Sequence, residues 1–112
     1  MVRRLASLVM RQYDICRNPN SSSRKQMPFV VVLQADLLLD FKTVVVAPLM
    51  AETAATNISR LNPSVKVSGK TYRVSMAELA GISRQQLDEV VTNVEIQHRE
   101  FVAAIDLLFT GI

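Results

Sequence analysis

The chain has 112 residues, 49% of them hydrophobic, and a net charge of only +3 at neutral pH. That is enough apolar material for one compact core and too little length for two domains. The longest apolar runs, Phe29 to Leu33 and Val44 to Met50, fall far below the roughly 20 residues of a membrane-spanning helix, so the chain reads as soluble.

Residues 1–9 open with two arginines and a few apolar residues, but the apolar part is too short for a secretion signal and carries no clear cleavage site. They read as an N-terminal extension, of the kind an upstream start codon adds, with Met10 as the natural start of a single domain over 10–112. From Arg11 a loose alternation through Tyr13, Ile15 and Arg17 predicts an edge strand. It runs into a mobile loop, Asn18 to Ser23, which lacks the glycines of a phosphate cradle. Met27 to Ala35 is β-branched throughout its middle and predicts a central strand covered on both faces. Asp36-Leu37-Leu38-Leu39-Asp40 then admits two readings: a turn whose leucines drop into the core, or an exposed apolar lip.

Thr43 to Leu49 predicts a second buried strand, ended by Pro48 because proline has no N–H to give a ladder. Residues 51–61 are mixed and fit a short helical turn or an irregular crossing. After the boundary at Asn62-Pro63, Val65 to Val74 reads as a hairpin turning at Ser68-Gly69, its exposed lysines guarding the edge. Ser83 with Gln86 has the form of a helix cap and would start a helix running through Val90. Against that, the β-branched Val90, Val91, Thr92 and Val94 favour a strand.

A terminal helix follows Glu95, with His98 and Arg99 in its first turns and Gly111 as its stop. Phe101, Ile105 and Leu108 make one apolar stripe; Val102 and Phe109 make a second, about 100° round the helix. A small domain covers one stripe. The second asks for a partner, most simply another copy, so Val102 and Phe109 are the expected interface of a homodimer.

The ending Ala104-Ile-Asp-Leu-Leu-Phe-Thr-Gly-Ile112 resembles the last residues of the CcdB toxins, which close with an apolar helix, an aromatic pair and Gly-Ile. Gln34-Ala-Asp-Leu-Leu38, followed by Val44-Val-Val-Ala-Pro-Leu49, is similar to the segment of that family with Gln-x-Asp, two branched apolar residues and a strand ending in Pro-Leu. Gln12-Tyr-Asp-Ile15 with Asn18-Pro19, and the hairpin Val65 to Arg73, extend the resemblance over about Met10 to Ile112. It implies a mainly β fold with a C-terminal α-helix, a small antiparallel SH3-like barrel, and strand or extended chain where the capping pattern would put a helix.

The resemblance further implies a homodimeric cytoplasmic toxin of a toxin–antitoxin pair. Such a toxin binds the A subunit of DNA gyrase and traps the cleaved-DNA complex, meeting DNA only through that complex. A CcdA-like antitoxin with a disordered acidic tail neutralises it. The contacts carried over are Leu37, Leu38, Phe109, Gly111 and Ile112, the leucine pair's counterparts lying beside the C-terminal helix ends in relatives. Asp106 and Thr110 stand where the family commonly has asparagine and tryptophan, and the missing tryptophan opens the further reading of a weakened or non-toxic homologue.

The residues themselves argue for a binder rather than a catalyst. His98 is the one imidazole, flanked by Glu95 and Glu100 in what reads as a solvated first helical turn, so a nucleophilic triad has a single candidate base. Cys16 excludes an internal disulfide, reads as a small core hydrophobe and fits a reducing cytoplasm. No metal or cofactor is expected. Tyr13 and Tyr72 read as packing residues, and the 13 basic residues are scattered, which favours an acidic protein partner over nucleic acid. The rival from another class is an endoribonuclease toxin of the same barrel, which would need acid–base residues gathered in a groove.

Overall fold

The computed structural model describes residues 10–52 and 60–112. Seven antiparallel strands form one curled, half-barrel sheet: β1 (Asp14–Arg17), β2 (Phe29–Val32), β3 (Thr43–Ala51), β4 (Ser64–Val67), β5 (Lys70–Val74), β6 (Ala80–Ser83) and β7 (Val90–Asn93). One helix, α1 (His98–Thr110), follows them. The strand order is β4-β5-β3-β2-β1-β7, with β6 also on β3.

The valine-rich strands are buried on both faces, and the period of two divides their side chains between two clusters. Ile15, Val31, Ala47 and Leu49 point to the side where Phe101 and Ala104 of α1 close the core, together with Val65, Val67, Val74 and Met76. Cys16, Val30, Val32, Val44 and Val46 point to the other side, under Leu39, Leu87 and Val90. Phe101 is fully buried and seals the helix to the sheet.

β3 is the spine because it changes partners along its length. Its first half pairs with β6, from Thr43 with Ser83 to Val46 with Ala80; its second half pairs with β5, from Leu49 with Val74 to Ala51 with Tyr72. Pro48, expected to end the strand, sits inside it. Its carbonyl accepts from the Ser75 N–H at 2.9 Å, so its nitrogen faces the same gap, between the end of β5 and the start of β6, where no ladder donor is required.

β1 is likewise not the edge strand its alternation suggested. It starts only at Asp14 and lies between β2 and β7, its pairing with β7 slipping at Ile15 and Cys16. Tyr13, just before it, has a φ of +68°, which breaks the extended backbone. For a residue with a Cβ that conformation costs on the order of 1–2 kcal/mol. Hydrogen bonds from the Tyr13 N–H to the Val32 carbonyl (2.7 Å) and from the Val94 N–H to the Tyr13 carbonyl (3.0 Å) hold it there.

The hairpin is as expected. Ser68 and Gly69 both have positive φ, the pattern of a two-residue turn that matches the twist of β4 and β5, and Lys66 stands exposed on the edge strand. The helix expected after Ser83 does not form, in agreement with the strand reading. Ser83 makes no side-chain cap, Arg84–Gln86 is a single 3-10 turn, and the chain returns as β7. Pairing with β1 and burial of Val90 outweigh a local capping preference.

The loop expected to be mobile is braced. Asn18 is buried and donates to the Met27 carbonyl at 2.7 Å, and the Arg24 guanidinium returns to the Asn18 carbonyl at 2.8 Å. Of the crossing expected over 51–61, the middle lies outside the described residues, as does the extension 1–9. Among the described residues, no helix is long and apolar enough to cross a membrane.

Candidate functional site

The two ends of α1 carry the candidate residues. At its start, the chain enters through a 3-10 turn, Glu95–Gln97, and His98 comes to the rim of an open cleft of about 330 Å³ shared with Gln12, Tyr13, Asp36 and Glu95. Much of the cleft's chemistry is used internally. The Tyr13 hydroxyl and His98 Nδ1 are 2.6 Å apart, Arg11 pairs with Glu95 at 2.9 Å, and the Gln12 N–H donates to Asp36 at 2.6 Å. The Tyr13 ring also lies against Phe101, with centroids 5.0 Å apart. Burial raises the Tyr13 pKa above its ordinary value, because a phenolate in this apolar setting would be poorly solvated. Tyr13 therefore packs, as expected, and also fixes the helix start; His98 is exposed, as expected, but not unpartnered. Nothing in the sequence links two residues so far apart, so no local signal could have revealed that bond.

The far end of α1 is built differently. Gly111 adopts a φ of +76° and its N–H caps the Leu107 carbonyl at 3.0 Å, as the sequence predicts for a glycine stop. Thr110 remains inside the helix, its hydroxyl donating to the Asp106 carbonyl at 2.6 Å. Beyond the cap, Ile112 is 80% exposed, and Phe109, one helical turn back, is 67% exposed. Arg60 donates to the Ile112 carbonyl at 3.3 Å.

The two stripes of the helix separate as expected. Phe101 is buried and Ile105 and Leu108 pack against the core, whereas Val102 and Phe109 face outward. Asp106 is exposed on the outward side. With Arg99, His98, Val102 and Ala103 it lines a shallow depression of about 400 Å³.

Both readings of the leucine triplet hold in part. A 3-10 turn over Asp36–Leu38 sends Leu39 into the core and leaves Leu38 partly and Leu37 90% exposed. Gln34 ties this turn down, donating to the Leu38 carbonyl at 2.6 Å and accepting from the Val45 N–H. The lip does not stand beside the end of α1 within one chain. Asp36 shares the cleft with His98, and the helix then rises about 18 Å before it reaches Thr110. Leu37 and Leu38 therefore belong to the start of α1, and Asp106, Phe109, Thr110, Gly111 and Ile112 to its end.

Two exposed apolar residues escaped the sequence reading: Ile96, 93% exposed just before α1, and Phe41 beyond the lip. Ile96 lies in the 3-10 turn and falls in neither helical stripe, so periodicity could not find it. Among the described residues no cluster of histidine, cysteine and carboxylates has the geometry to hold a metal ion. Cys16 is buried in the second core.

No curated protein matches the chain. The family model described as CcdB protein matches residues 12–111. With its antiparallel half-barrel, its C-terminal helix closing the core and that match over nearly the whole chain, the protein belongs to the CcdB family.

Proposed function

We propose that this chain, a member of a toxin family of toxin–antitoxin systems, acts as a homodimer on the A subunit of DNA gyrase and traps the cleaved-DNA complex. The observation that supports this most is the end of α1: Phe109 and Ile112 stand exposed around a glycine cap, which is the form of a recognition tip and serves no purpose in the core. A binder that holds a transient protein–DNA intermediate needs such an anchor and no acid–base pair. Leu37 and Leu38 supply further apolar surface, and Asp106 and Thr110 give this chain its own chemistry at places where relatives carry asparagine and tryptophan. A cognate CcdA-like antitoxin, acidic and disordered before binding, neutralises it by covering the same protein; the net charge of +3 complements such a partner. The test is a gyrase cleavage-complex assay with purified protein. Accumulation of cleaved DNA that is prevented by the product of the adjacent upstream reading frame is expected, and intact supercoiling at saturating protein overturns the reading.

The endoribonuclease reading has one observation in its favour, the cleft in which His98 is joined to Tyr13 beside two carboxylates. It ranks second because Asp36 and Glu95 would repel a phosphodiester there. Cleavage of RNA by the wild type, lost in His98→Ala, would reverse that order.

A further inference from the structure

A free sheet edge needs a guard or a partner, because its unpaired N–H and C=O groups are a template for another strand. The edge at β4 is guarded, with Lys66 standing exposed. The edge at β6 is not. Within Ala80–Ser83 there is no charge, no proline and no bulge, and every residue but Ile82 is exposed. We infer that this edge docks an extended segment of a protein partner, which pairs with Gly81 and Ser83 and lays a lysine or arginine in the cleft beside them.

The backbone fixes which groups are on offer. The Arg84 N–H donates to the Lys42 carbonyl at 2.9 Å, so the bonded pairs of the ladder between β6 and β3 are the alternate ones, Val44 with Ile82 and Val46 with Ala80. Val45, opposite Gly81, turns its backbone the other way: its carbonyl accepts from the Leu33 N–H and its N–H donates to the Gln34 side chain. Gly81 and Ser83 therefore direct their N–H and C=O groups away from β3, and these groups have no partner among the described residues. Spaced two residues apart, they suit an added antiparallel strand.

Gly81 is a second, independent sign. Its φ is not positive, and a methyl group there would meet nothing within 4 Å, so neither backbone geometry nor crowding inside the chain calls for glycine. A glycine inside a strand weakens it, and where no internal cause exists it marks the close approach of another backbone.

The chemistry of the partner follows from the neighbouring cleft. Ala80 and Ile82 border a cavity of about 480 Å³ floored by Val30, Val46 and Pro48. Glu78 is the one charged residue lining it and has no ion pair among the described residues. A lysine or arginine complements both features, with its stem on the apolar floor and its charge at Glu78. Cross-strand neighbours share a face, so the antiparallel register sets the order of side chains. From N- to C-terminus, the partner presents an apolar residue opposite Ile82, an aromatic one covering Gly81, and a basic one opposite Ala80. This cleft lies on the sheet face away from α1, and the inference does not depend on the gyrase reading.

The test uses the full chain and a short fluorescent peptide with Thr-Val-Tyr-Lys-Thr at its centre, followed by anisotropy. Ser83→Pro removes one outward N–H without strain, since Ser83 already has a φ of −64°, and gives up no bond to β3. It should weaken binding about fivefold with the circular dichroism unchanged. A peptide N-methylated at its tyrosine, which cannot donate to the Gly81 carbonyl, should lose as much and needs no variant of the chain. Glu78→Gln should weaken binding about fivefold, yet leave unchanged the binding of a peptide with methionine in place of lysine. No binding up to about 1 mM, indifference to N-methylation, or equal losses for the two peptides on Glu78→Gln would overturn the inference. So would a chain whose mass in solution falls on Ser83→Pro while the peptide stays unbound, because a second copy would then occupy the edge.

Discussion

The start and the end of α1 differ in what their side chains are for. At the start, His98, Tyr13, Asp36, Arg11 and Glu95 are bound to one another or to backbone, so polar groups that resemble a catalytic set are occupied in holding the helix start to the segment before β1. At the end, the backbone is satisfied by Gly111 and Thr110 while Phe109 and Ile112 are left outside any contact that would bury them. It is the uncovered apolar end that asks for a partner.

The largest effect that separates the two ends is on folding. Phe101 of α1 is fully buried against the sheet, so Phe101→Ala should cost about 3–5 kcal/mol, read as a shift in the denaturant midpoint, whereas Phe109→Ala should cost little in the isolated chain. A comparable loss at both positions would mean that the tail is part of the core.

Deletion of Ile112 should abolish gyrase trapping and leave the circular dichroism unchanged, because the residue lies past the cap. Loss of folding on that deletion would make the tail structural. Thr110→Trp should move trapping the other way. It returns an aromatic anchor at an exposed position, worth about 2 kcal/mol, or roughly thirtyfold in the concentration for half-maximal DNA cleavage. It gives up only the local bond to the Asp106 carbonyl. An unchanged or raised concentration would show that this tail meets its target otherwise than its relatives' tails do.

The smallest effect belongs to the start of the helix. Tyr13→Phe removes one hydrogen bond and keeps the ring on Phe101, a loss of about 1 kcal/mol with no change in trapping. Because burial raises the folded pKa of Tyr13, its contribution is fully present below the unfolded value of about 10 and is lost as pH rises through the folded one. Wild-type stability should therefore fall more steeply than that of Tyr13→Phe above about pH 10. Parallel alkaline unfolding curves for the two proteins would remove Tyr13 as the cause.

Sequence by itself determined the features whose causes are local. The valine runs gave two-faced strands, Ser68-Gly69 gave the hairpin turn, Gly111 gave the helix stop, and the spacing of Phe101, Ile105 and Leu108 against Val102 and Phe109 gave the inner and outer stripes, because each depends on residues within a few positions of one another. The residues resembling the CcdB family carried the order of elements that periodicity left open around Ser83. Tertiary structure decided what depends on distant neighbours. Pro48 is tolerated inside β3 only because β6 and β5 meet there, β1 is interior because β7 returns to it, and Tyr13 keeps its positive φ because Val32, Val94 and His98 hold it. It also parted Leu37 and Leu38 from the helix end by the length of α1, a separation set by the packing of a rigid helix on a sheet and written in no local stretch of the chain.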